Sequence, residues 1–277
     1  MKVDLTGKVA VVTGGGGILC SVMAKSLAAS GAKVAILDLK EEAAAKVADE
    51  IVAAGGRAVG VAANVLDIES LKKAEAAVKA AFGDCDILVN GAGGNNKRAT
   101  TDKEYYEAGD IDADTVSFFD LDEKGVRFVF DLNFLGTLLP TQVFAADMLE
   151  NGGNIINISS MNAFTPLTKI PAYSAAKAGI SNFTQWLAVH FSRAGIRVNA
   201  LAPGFFVTKQ NEKLLFDEAG NPTPRTGKIL AATPMGRFGK VEELDGALEF
   251  LLDDEKAGFI TGVVLPIDGG FSAYSGV

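Results

Sequence analysis

Short, continuous apolar runs, each handing over to a segment of helical period, constrain what this chain can fold into more than any other feature. Val9–Thr13 reads as a buried strand, followed by a glycine turn and a helix to about Ser30. Lys33–Asp38 is the next strand, then an alanine-rich helix over Glu41–Ala54 closed by Gly55-Gly56. Ala58–Ala62, Asp86–Asn90, Asn154–Ser159, Arg197–Leu201 and Val263–Pro266 read as further strands. Helices are expected over Ile68–Ala81, up to about Leu149, and over Ala172–Ala194. Strands apolar on both faces need cover on both, and crossover helices supply it. The pattern therefore predicts an α/β fold with a doubly wound parallel sheet of Rossmann type. No repeat or linker divides the 277 residues, so 1–277 is expected to be a single domain.

Two stretches break the rhythm, Gly94–Gly125 after strand four and Phe205–Thr233 after strand six. Loops this long are usually functional. Both follow the carboxyl ends of strands, where open α/β sheets bind ligands, so lids over a site are expected, with surface or oligomer-contact loops as the alternative.

Thr13-Gly14-Gly15-Gly16-Gly17 sits where the first strand meets the first helix. Such a turn brings backbone amides and a helix N-terminus to a pyrophosphate. Asp38 ends the second strand about 20 residues on, where a carboxylate accepts from adenosine ribose hydroxyls. Its charge repels a 2′-phosphate, which favours NAD over NADP, although Lys40 lies close. Asn90-Gly91-Ala92-Gly93 makes a second glycine turn at the same sheet edge.

Tyr173 and Lys177 are four apart on an expected helix and share one face. An ammonium there is expected to favour phenolate and lower the phenol pKa. Ser160 lies just past a strand end, where its hydroxyl can meet the same substrate oxygen.

Taken together, Thr13-Gly14, Asn90-Gly91-Ala92-Gly93, Asn133, Ser160, Tyr173-x-x-x-Lys177, Pro203-Gly204-x-x-x-Thr208 and the ending Gly262…Asp268-Gly269-Gly270 resemble the short-chain dehydrogenase/reductase family. The resemblance implies that Tyr173 is the general acid or base, that Ser160 steadies the reacting oxygen, and that Lys177 binds the nicotinamide ribose. It implies that Asn133 holds a proton-relay water. For an NAD cofactor it further implies contacts from Gly14, Gly16, Gly17, Ile18 and Leu19, from Asp38 and Leu39, and from Asn64 and Val65 beside the adenine. Asn90, Gly91 and Ala92, with Pro203, Gly204, Phe206 and Thr208 bordering the nicotinamide, complete the set. One departure stands out: the family's turn reads Thr-Gly-x-x-x-Gly-x-Gly, and here Ile18 and Cys20 occupy the last two glycine positions. Cys20 is expected to be a small packing residue.

Within the family, Asp131-Leu-Asn-Phe-Leu-Gly-Thr, Ser159-Ser-Met-Asn-Ala-Phe, Pro203-Gly-Phe-Phe and Gly269-Gly-Phe-Ser-Ala-Tyr-Ser-Gly-Val are similar to the D-mannonate oxidoreductase (D-fructuronate reductase) group of hexuronate catabolism. That likeness implies a polyhydroxy carboxylate substrate, which needs a cation. Lys97, Arg98, Lys169 and Arg225 are the candidates, with Asn162 beside Ser160 as a polar partner. Other polyols, sugar acids or 3-oxoacyl substrates stand as alternatives, as does a nucleotide-sensing protein without catalysis. A net charge of −8 disfavours nucleic acid and anionic membranes as partners. Two cysteines form no disulfide framework, and the single histidine, His190, offers neither a triad nor a metal cluster, so no metal is expected. No leader or membrane span is apparent, and a cytoplasmic protein is expected. The family resemblance implies a homotetramer, and Phe183, Trp186, Leu187 and Phe191 are apolar enough to serve either that surface or the core.

Overall fold

The computed structural model describes residues 3–207, 215–218 and 220–276. Seven strands form one all-parallel sheet: β1 (Val9–Thr13), β2 (Lys33–Asp38), β3 (Arg57–Ala62), β4 (Ile87–Asn90), β5 (Gly153–Ile158), β6 (Ile196–Pro203) and β7 (Val264–Ile267). Their spatial order is β3-β2-β1-β4-β5-β6-β7, so the order reverses between β1 and β4. Helices α1 (Ile18–Ala29), α2 (Glu41–Ala53), α3 (Ile68–Phe82), α4 (Glu123–Phe130), α5 (Gly136–Phe144) and α6 (Pro171–Phe191) supply the crossovers.

Alternation along β1 shows why the strands are apolar throughout. Ala10 and Val12 pack with Met23 and Leu27 of α1, while Val9 and Val11 join Leu71, Val78, Phe144 and Leu187 on the other face. Two cores thus sandwich one sheet. The helical run Glu123–Met148 has the length and apolarity to cross a membrane, yet half of it is buried inside the domain.

Register places the site. Thr13 pairs with Leu37 and Asn90, Asn90 with Asn157, and Asn157 with Ala200, so all these strands end in one row. Both irregular stretches leave from that edge. The first holds only short helical turns, at Lys97–Ala99, Asp110–Asp112 and Phe118–Asp120, and its last residue, Gly125, already lies in α4. The second contains helix α7 (Pro224–Ala231).

Candidate active site

The first glycine turn is built by close approach of backbone to backbone. Gly14 has φ +62, and a Cβ there would stand 2.9 Å from the backbone N and Cα of Ala92. Thr13 ties the two turns together, its hydroxyl accepting from Gly91 N (3.1 Å) and Ala92 N (3.3 Å). Gly16 N donates to one Asp38 oxygen (3.1 Å) and Lys40 N to the other (3.1 Å). Each carboxylate oxygen keeps a further lone pair for a hydroxyl. Ala63 N donates to Asp38 O at 2.8 Å, which brings the segment entering Asn64 beside that carboxylate. Asn64 is exposed, Val65 is buried, and Leu39 projects into solvent. A dinucleotide fits this cradle: glycines where side chains would collide, the N-terminus of α1, and a carboxylate at the end of β2.

The substituted glycine position has a physical answer. Cys20 is buried, and a Cβ on Gly91 would lie 2.1 Å from its Sγ. The sulfur occupies the room that Gly91 leaves, so α1 still packs tightly. Burial pushes the Cys20 thiol up to about 12, as suits a packing residue.

The side chain of Asn90 faces the interior. Its Nδ2 donates to Asn157 Oδ1 and Thr141 Oγ1, both at 2.9 Å, and Asn157 Nδ2 donates to Thr184 Oγ1 at 2.9 Å. This buried ladder, which the sequence reading missed, joins β4 and β5 to α5 and α6. Asn133 lies in a π-helical turn, Asp131–Leu135, that interrupts the run from α4 into α5. Its Nδ2 donates to Val129 O (2.7 Å) and Gly94 O (2.8 Å), and its Oδ1 accepts from Gly94 N (3.2 Å). The side chain clasps the end of the second turn, leaving one Oδ1 lone pair for a relay water.

Ser160 and Lys177 are buried and Tyr173 is half-buried. Ser160 caps a short turn, accepting from Asn162 N at 3.2 Å, and its hydroxyl stands near the Tyr173 phenol. Lys177 Nζ lies 5.7 Å from the Tyr173 ring centre and donates to Ile158 O at 2.7 Å. Ser159, also missed from sequence, fixes the helix to the strand: its hydroxyl donates to Lys177 O (3.1 Å) and meets Ser181 Oγ (2.8 Å). The phenol is not lowered as the four-residue spacing to Lys177 predicts. Burial raises the Tyr173 phenol above its ordinary value against the opposing pull of the nearby Ser160 hydroxyl, while burial pushes Lys177 down to about 8. Desolvation outweighs the lysine because that ammonium is bonded to a carbonyl rather than to the phenol.

Beyond β6, Gly204 N donates to Ile267 O at 2.9 Å, and a Cβ on Gly204 would meet Asp268 Cα at 2.6 Å. Pro203 pairs with Ile267. Phe206 is buried against Gly239, whereas Phe205, not anticipated, meets the Phe271 ring edge-on at 5.5 Å. Thr208 lies outside the described residues.

The proposed substrate cations separate. Arg98 is paired with Asp122. Lys97 is exposed on the first turn of the insertion. Lys169 and Arg225 line one cavity. Asn162 is buried with no partner for its Oδ1. Among the described residues no three His, Cys, Asp or Glu side chains gather to hold a metal.

Comparison with known proteins agrees with this geometry. The family model for short chain dehydrogenases matches residues 8–219. An uncharacterized oxidoreductase of Haemophilus influenzae is 62% identical over 275 residues, covering 99% of this chain and 96% of the relative. An uncharacterized oxidoreductase of Bacillus subtilis, UxuB, is 54% identical over 275 residues, covering 99% of this chain and 98% of that one. A crystal structure from Haemophilus influenzae, of a candidate D-mannonate oxidoreductase with bound NAD, superposes with a TM-score of 0.96 at 61% identity, covering 99% and 98% of the two chains.

Proposed function

The chain belongs to the short-chain dehydrogenase family of oxidoreductases, and from that premise we propose that it uses NAD(H) to interconvert D-fructuronate and D-mannonate. The observation that carries the reaction is the cluster of Ser160, Tyr173 and Lys177 at the strand ends, beside a glycine cradle and Asp38. Support for the substrate comes from the NAD-bound D-mannonate oxidoreductase candidate, which matches nearly the whole chain.

When bound, the dinucleotide supplies or takes up the hydride. Gly14, Gly16, Gly17 and Ile18 would face its phosphates, and Asp38 would accept from its adenosine ribose. Lys177 would meet the nicotinamide ribose and Gly204 would border the nicotinamide. The protein's own part is proton transfer and charge placement. In reduction, Tyr173 donates its phenolic proton to the carbonyl oxygen, and Ser160 donates a hydrogen bond to the same oxygen as its charge grows. In oxidation, Tyr173 takes the hydroxyl proton. Lys177 and a water held near Asn133 refill the phenol. The unpartnered Oδ1 of Asn162 accepts from a substrate hydroxyl next to the reacting carbon.

We further propose that the protein forms a homotetramer through the apolar groove between α5 and α6, lined by Leu138, Gln142, Phe183 and Trp186. There Trp186 stacks on His190 (4.6 Å between centres) and on Phe183 (6.2 Å). A panel of ketones with NADH tests the substrate: D-fructuronate should be turned over with the highest kcat/KM. Preference for a 3-oxoacyl thioester or a neutral ketose would refute it.

A further inference from the structure

The two long loops meet over a cavity of about 440 Å³, within the range of small-molecule sites. Lys169 and Ile170, just ahead of the helix bearing Tyr173, form one wall, and Phe205, next to Gly204, forms another. Glu104 reaches in from the first loop, and Arg225 and Lys228 from α7 in the second. Lys228 Nζ pairs with Glu104 Oε1 at 2.8 Å, a contact between residues 124 apart in sequence. Lys169 is the only described non-glycine residue at positive φ (73), and its carbonyl accepts from Thr101 N at 2.9 Å. The first loop thereby holds this lysine in a left-handed backbone conformation that residues with a side chain disfavour.

We propose that Lys169, Arg225 and Lys228 form the subsite for the substrate's carboxylate, and that the Glu104–Lys228 pair is an exchangeable latch between the loops. The inference rests on the sugar-acid reading above. Three cations face one carboxylate, so the wall carries unneutralised positive charge in a protein of net charge −8. Glu104 feels both Lys228 and Lys169, so an internal carboxylate already sits where a second one would be attracted. Exposed pairs of this kind contribute little, which makes the exchange cheap. Arg225 and Lys169 act as specificity residues, and Glu104 acts through Lys228 as a positioning residue.

D-Fructuronate and D-fructose share the ketone and differ in a terminal carboxylate against a hydroxymethyl group, so steady-state kinetics on both isolates the subsite. A hydrogen bond to a charged group is worth about ten- to a hundredfold in binding. Arg225→Met and Lys169→Met should raise KM for D-fructuronate by about that factor, with kcat, NADH affinity and the response to D-fructose kept, and Arg225→Lys should restore most of the loss. Glu104→Gln should lower the D-fructuronate KM. Turnover of D-fructuronate with an unchanged acid-to-neutral ratio in both methionine variants would overturn the subsite while leaving the substrate reading intact. Should wild type ignore D-fructuronate, the substrate reading fails, and calorimetry with D-gluconate against D-sorbitol decides the subsite separately. Preference for the acid, lost in Arg225→Met, supports it; equal binding in wild type overturns it.

Discussion

The nucleotide half and the substrate half of this sheet edge are held together by different forces. Around Thr13–Gly17 and Asn90–Gly93 the contacts are between backbones, fixed by sheet register and by the absence of side chains. Around the described residues of Gly94–Gly125 and Phe205–Thr233, ion pairs and ring edges between long side chains join the backbone contacts. Lys228–Glu104, Arg98–Asp122, Lys103 with Glu107 and Asp110, and Tyr106 against Phe119 are examples. The first arrangement tolerates almost no substitution and suits a cofactor common to many reactions. The second can be rewritten residue by residue, as substrate choice requires. Ser160, Tyr173 and Lys177 sit at the junction.

The largest effect expected from breaking that division is at the junction itself. Tyr173→Phe should cut turnover by about 10²–10⁴-fold while NADH binding, followed by fluorescence, stays intact. Next comes the desolvated lysine. Lys177 is depressed to about 8 from an ordinary 10.5, so between those values the unfolded chain holds a proton that the folded chain lacks. Stability attributable to this group therefore rises with pH across that window, and its destabilising effect is fully present below it. Denaturant unfolding of wild type should gain about 3 kcal/mol relative to Lys177→Met from neutral pH to about 10.5. Parallel curves for the two proteins would contradict the burial argument.

Within the nucleotide half, Gly14→Ala places a methyl against Ala92 at positive φ. It should cost about 1–3 kcal/mol in unfolding free energy and weaken dinucleotide binding. A variant as stable as wild type would show that the turn is looser than its geometry implies. The smallest effect is on cofactor choice. Asp38→Ala should narrow the preference for NADH over NADPH by roughly tenfold, about 1.4 kcal/mol, read as the ratio of kcat/KM values.

What the sequence made legible follows the same division. The strands, the two glycine turns, Asp38 and the Tyr173/Lys177 spacing are local patterns, and the all-parallel sheet carries them to one edge as expected. Cys20 reads as a defect in one dimension because the compensating space belongs to Gly91, which is distant in sequence. The ties made by Thr13, Ser159, Asn157 and Thr184 are not legible in one dimension because each acts through a partner on another element. The lowered phenol pKa was misjudged because spacing shows that a lysine is near but not which carbonyl it bonds. In the loops, side chains such as Lys97, Arg98 and Arg225 look alike in one dimension. Only pairing and cavity walls separate them.

The central claim, that this junction oxidises and reduces a sugar acid with NAD, is tested most directly in the oxidative direction. Wild-type protein given D-mannonate and NAD⁺ should form NADH in step with D-fructuronate, identified as the product by mass and retention. Formation of NADH from another polyol or hydroxy acid, with none from D-mannonate, would contradict it.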